Sequence, residues 1–177
     1  MRVIAGELGG RRLRSARGQA TRPTAERVRE ALFSMLEPVR GAVVLDLFAG
    51  SGALGIEALS RGAARATFVE RDPRALATLR ANLAALELGE RSRVVGGDAI
   101  AALRGQDIYD LVFLDPPYAM ASALAEVLSR ELPRVLGPGA RVVSESDRRA
   151  PLELALALVR ERRYGDTLIR IHETSET

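Results

Sequence analysis

Val43-Val44-Leu45-Asp46-Leu47-Phe48-Ala49-Gly50-Ser51-Gly52-Ala53-Leu54-Gly55 runs an apolar strand into a glycine turn and then into a helical pattern that continues through Ala58 and Leu59. Gly50 can take a φ closed to other residues, and Gly52 would let a ligand come close to the backbone. The helix that starts beyond it offers free N–H groups and a partial positive charge. Glu70 follows at the end of a second short apolar strand, 66–69, where its carboxylate can accept both hydroxyls of a ribose.

The same alternation extends in both directions. A stripe at Ala25, Val28, Leu32, Met35 and Leu36 predicts a helix over 25–36, capped by Thr24 and ended by Pro38. Strands are expected at 43–48, 66–70, 92–96, 108–114 and 140–144, with helices at 53–61, 73–86, 99–104 and 121–132 between them. Residues 152–162 and 166–172 read as two last strands around Gly165. Strand–helix alternation means an α/β fold, a mostly parallel sheet with helices on both faces. The terminal hairpin requires its last strand to run antiparallel to its neighbour.

The run 108–114 ends in Asp115-Pro116-Pro117-Tyr118. Two prolines fix φ and remove two backbone donors. Carbonyls, a carboxylate and an aromatic face remain, a surface fit to accept from an amino group while stacking a flat ring. Asp115 and the Pro116 carbonyl are the candidate acceptors for that amine, and Tyr118 is the candidate stacking partner. A third strand ends at Asp98, which can accept from an adenine amino group while the adjacent Ala99 N–H meets a ring nitrogen. Asp98 also suits the N-cap of the short helix that follows.

Gly50-Ser51-Gly52-Ala53-Leu54-Gly55 also matches the dinucleotide fingerprint G-x-G-x-x-G, so an NAD-dependent dehydrogenase competes. Asp46 argues against it. A carboxylate there would repel a pyrophosphate but attract a sulfonium or an α-amino group, and a dehydrogenase gives 115–118 no role. The cofactor expected is S-adenosylmethionine, with Asp46, Phe48, Ala49, Gly50, Gly52, Glu70, Asp98 and Ala99 as candidate binding residues. The candidate acids fall at the carboxyl ends of strands, the edge at which open α/β sheets bind ligands.

The 177 residues, 47% of them apolar, suit one domain with a full core. No membrane span or secretory signal is visible, so a cytoplasmic protein is expected. There is no cysteine and one histidine, His172, expected to be solvated near the C-terminus. No metal site is expected. All 26 basic residues are arginine, as in a heat-adapted or a GC-rich source. Their placement says more than their number. Residues 1–22 carry six arginines against Glu7 and sum to +5, while the rest of the chain sums to −2. With Gly6, Gly9, Gly10 and Gly18, residues 1–22 read as a mobile basic arm for nucleic acid, ahead of a domain at 23–177. Arg11, Arg12, Arg22, Arg27 and Arg29 are the RNA candidates, the last two because they lie off the apolar stripe. Glu57, inside a helix, is expected to face solvent or pair locally.

These motifs together resemble class I, Rossmann-like S-adenosylmethionine-dependent methyltransferases, and more narrowly the bacterial 16S rRNA (guanine-966 N2)-methyltransferase family. The resemblance spans nearly the whole chain. It rests on Arg2–Gly6, Gly10–Leu13, Thr21-Arg22-Pro23-Thr24, Arg27–Phe33, Asp46–Ala58 and Asp115–Tyr118. It implies a seven-stranded sheet and methylation of a guanine exocyclic amine in 16S RNA or the small ribosomal subunit. A monomer is the default for so small a domain. An adenine-N6 DNA or RNA methyltransferase and a protein-glutamine methyltransferase would share the Pro-Pro-Tyr chemistry. A non-catalytic RNA-binding module would keep the basic arm without the reaction.

Overall fold

The computed structural model describes residues 1–15, 23–117 and 120–175. Its elements are α1 (Pro23–Leu36), β1 (Val43–Asp46), α2 (Ala53–Ser60), β2 (Arg65–Glu70), α3 (Pro73–Ala85), β3 (Ser92–Gly96), α4 (Ala99–Ala102), β4 (Tyr109–Leu114), α5 (Ala121–Glu131), β5 (Leu136–Asp147), β6 (Ala157–Tyr164) and β7 (Thr167–Glu173). Helix α1 starts two residues before the expected point, so Thr24 lies within it. Asp72 caps α3 by accepting the Ala75 N–H at 2.9 Å, with Pro73 in the first turn.

One seven-stranded sheet has the order β3-β2-β1-β4-β5-β7-β6. The first five strands run parallel; β7 inserts antiparallel to both β5 and β6. From β1 the chain winds outward to β3 and then returns to β4 on the other side. The crevice between the carboxyl ends of β1 and β4 is therefore the switch point at which such sheets take ligands. Phe33, Phe68, Phe113 and Val143 pack on one face of the sheet, and Leu45, Val112, Leu114 and Leu128 on the other.

Two expectations are corrected here. Residues 1–14 form a hairpin, not a mobile arm. The Val3 N–H donates to the Arg11 carbonyl at 2.9 Å, and Val3 and Leu13 are buried in the cluster that holds Phe33. Gly6 sits at φ +83°, and a Cβ there would fall 1.9 Å from the Ser60 carbonyl oxygen. Only glycine lets the hairpin close on α2 so tightly. A glycine-rich sequence thus gives close docking, because the missing side chains are where backbones meet. His172 is also not solvated. It is 2% exposed in β7, and burial together with Arg170 holds its pKa below the usual imidazole value.

No helix among the described residues is long and apolar enough to cross a membrane.

Candidate active site

A cavity of about 1200 Å³ opens at the switch point, lined by the ends of β1, β2, β4 and β5, the glycine turn and the start of α4. Asp46, the last residue of β1, is 1% exposed. Its Oδ2 accepts the Gly55 N–H at 3.0 Å, which fixes the carboxylate under the first turn of α2. Burial raises its pKa to about 7; the Gly55 hydrogen bond opposes that shift and the Glu70 carboxylate adds to it. A cation in the cavity would relieve this buried charge, which fits a sulfonium or an α-ammonium and not a phosphate.

Glu70 ends β2 and lines the same cavity. Its Oε2 accepts the Gly50 N–H and its Oε1 the Asp72 N–H, both at 2.8 Å. Phe48, Ala49 and Gly50 line the cavity as well. Gly52 does not, and here the sequence reading is corrected. Gly52 caps α2 at φ +88°, and a Cβ on it would lie 2.5 Å from Leu79 Cδ1. It lets α2 and α3 pack together rather than admitting a ligand. Asp98 satisfies both of its readings. Its Oδ1 accepts the Ala101 N–H at 3.0 Å to cap α4, and it lines the cavity beside Ala99.

Asp115 and Pro116, which follow the last residue of β4, line the same cavity. The Pro117 carbonyl accepts the Met120 N–H at 2.8 Å. Asp115 is open to the cavity but lies in a concave, acid-lined surface. Removal from bulk water, then the carboxylates of Glu145 and Asp46, push its pKa well above the usual range. Tyr118 lies outside the described residues.

The arginine candidates divide. Arg11, Arg12 and Arg27 are exposed; the Arg11 Nη2 donates to the Ala85 carbonyl at 2.9 Å. Arg22 lies outside the described residues. Arg29 is corrected: it is 5% exposed, with its Nε 3.6 Å from Glu57 Oε2 and a hydrogen bond to the Arg2 carbonyl. Burial lowers its pKa, against the pull of Glu57.

Two acids were missed in the sequence. Glu57 is 1% exposed; it is not solvated but makes the expected local pair, with Arg61 one turn on, and what the sequence did not show is its grip on the hairpin. It accepts the Ile4 N–H at 2.8 Å and the Ala5 N–H at 3.0 Å, and pairs with Arg61 at 2.9 Å. An acid inside the apolar run Ala53–Leu59 was the available signal. Glu145 lines the cavity from β5, and the expected strand 140–144 stopped one residue short of it.

Residues 1–173 match the family described as Conserved hypothetical protein 95. The chain belongs to that family. It is 34% identical to Ribosomal RNA small subunit methyltransferase D of Haemophilus influenzae over 98% of this chain and 93% of that protein. The protein of the same name from Escherichia coli is 47% identical over 67% of this chain and 60% of its own length. Among solved structures, a hypothetical protein of Thermus thermophilus superposes with a TM-score of 0.83 at 31% identity, covering 98% of this chain and 99% of that one. The family match includes the N-terminal hairpin along with the sheet, so residues 1–14 belong with the fold that carries the cavity.

Proposed function

We propose that the protein transfers a methyl group from S-adenosylmethionine to the exocyclic N2 of a guanine in 16S ribosomal RNA, acting as a cytoplasmic monomer on the RNA or the small subunit. One observation carries the reading. Asp46, Glu70, Asp98 and Asp115 converge on a single cavity, in a chain 34% identical along nearly its whole length to a ribosomal RNA small subunit methyltransferase.

The methyl donor supplies an electrophilic carbon on a positively charged sulfur. Asp46 offers the complementary charge, Glu70 accepts from the ribose, and Asp98 with the Ala99 N–H meets the adenine. The guanine N2 is a poor nucleophile because its lone pair is conjugated with the ring. Asp115 and the Pro116 carbonyl accept from the amine and draw that lone pair out of conjugation, and Asp115 receives the proton released on transfer. Holding the nitrogen in line with the methyl carbon is worth roughly 7–11 kcal/mol. Tyr118 stacks the base, worth roughly 1–3 kcal/mol, after the base has left its own stack. Arg11, Arg12, Arg22 and Arg27 contact phosphates.

The test supplies labelled S-adenosylmethionine and ribosomal RNA from cells lacking the protein, as naked RNA and as small-subunit particles, and identifies the product nucleoside by mass. N2-methylguanosine at one position is expected. Asp115→Ala should abolish it while leaving S-adenosylhomocysteine affinity intact. N6-methyladenosine, or near-normal turnover by Asp115→Ala, would refute the reading.

A further inference from the structure

Strands β4 and β5 are parallel, with Leu114 paired to Ser144. The next residues in that register are Asp115 and Glu145, so two carboxylates leave neighbouring strands at one level, about 5 Å apart at the backbone. Both line the cavity. Among the described residues, none donates a hydrogen bond to Glu145, and no arginine offsets the charge of either acid. Burial raises the Glu145 pKa, and Glu145 in turn raises that of Asp115. Withdrawing an acid from water without a protein donor is costly. The cost is recovered when a ligand brings the donor.

The Watson–Crick edge of guanine presents adjacent donors at N1 and N2; adenine presents an acceptor at N1. Ionised carboxylates only accept. We propose that Glu145 selects guanine by accepting from its N1–H while Asp115 holds the N2 amine. This rests on the guanine-N2 reading above and adds to it the residue that sets base identity. Adenine would turn its N1 lone pair toward Glu145, and that repulsion excludes it.

The discriminating substrate is 2-aminopurine, which keeps the N2 amine but carries an acceptor at N1. It is placed at the methylated position, located beforehand from the wild-type product, in small-subunit particles rebuilt on segmented 16S RNA. Sites built around a substrate N–H reject analogues lacking it by large factors, so wild-type protein should prefer guanine by about 100-fold or more in kcat/KM. Glu145→Gln presents either an amide oxygen or an amide NH2 to N1, so its preference should shrink to within about tenfold, with S-adenosylhomocysteine affinity unchanged and Tm not lowered. Glu145→Ala should lose about 10-fold or more on guanine, chiefly in KM. Wild-type discrimination retained by Glu145→Gln, or full guanine activity in Glu145→Ala, would overturn the role of Glu145 while leaving the guanine-N2 reading in place. No N2-methylguanosine from the wild-type protein would overturn both.

Discussion

The Glu70 carboxylate accepts the Gly50 N–H at 2.8 Å, so the acid placed to read a ribose also anchors the glycine turn to β2. Its other oxygen holds Asp72, and each oxygen keeps a second lone pair for a ligand. Glu70→Gln should turn an amide NH2 against one of those two backbone donors. An unmet partly buried donor costs about 1–3 kcal/mol, so S-adenosylhomocysteine affinity measured by calorimetry should fall about fivefold or more. Wild-type affinity in this variant would remove Glu70 from the cofactor site.

Gly52 faces two constraints, a left-handed backbone and the methyl of Leu79 at 2.5 Å from any Cβ. The backbone alone costs an alanine about 1–2 kcal/mol. Gly52→Ala should therefore be destabilised in urea by more than that. Adding Leu79→Ala should give a double mutant less unstable than the two single losses summed, because the second change opens the space the first one needs. Strict additivity would show that the contact does not matter.

That Asp46, Gly50, Glu70, Asp98 and Asp115 gather at one cavity was legible because each ends a strand or enters a turn, and local sequence marks those points. The fold class followed from the same punctuation. Relations across the chain were not legible. Gly6, Gly9 and Gly10 read as slack until Glu57 and Ser60, about fifty positions away, are seen to grip the hairpin. Gly137, Pro138 and Gly139 fall outside the expected strand 140–144, yet they lie in β5, where its pairing with β4 shifts register between Tyr109 and Leu111. Shortening the strand to 140–144 also hid Glu145.

Glu57 is the single carboxylate shared by Arg29, Arg61 and two N–H groups of the hairpin. Removing one member of a buried ion pair typically costs about 3–5 kcal/mol. Glu57→Gln should lower Tm by roughly 10 °C and expose residues 1–14 to protease at a temperature where the wild type resists. A Tm within a degree or two of wild type would mean the hairpin is held by its apolar contacts alone.

Asp46 ties stability to pH in a definite direction. Its pKa of about 7 in the folded protein lies above the ordinary carboxylate value of 3.8. Between those values the folded state binds a proton that the unfolded state has lost. Stability is therefore fully present below about pH 4 and falls as pH rises through 7. The loss is on the order of 4 kcal/mol. Asp115 and Glu145 act in the same sense. Asp46→Asn retains an oxygen for the Gly55 N–H, so it should be more stable than wild type at pH 8 and nearly equal at pH 4, with weaker cofactor binding. Equal urea midpoints at pH 8 would show that the Asp46 charge is not costly.

Arg27 and Arg29 lie on the same helix but differ in what surrounds them. Arg27 is exposed and Arg29 is buried against Glu57. Each phosphate contact releases counterions, so losing one should reduce the slope of log K against log salt by about 1. Arg12→Ala and Arg27→Ala should each flatten the slope for 16S RNA with little change in Tm. Arg29→Ala should lower Tm, because it removes a buried cation from beside Glu57 and the hydrogen bond to the Arg2 carbonyl, while the folded fraction keeps the wild-type slope. A flattened slope in Arg29→Ala would mean that its guanidinium leaves Glu57 when RNA arrives, and that α1 moves on binding.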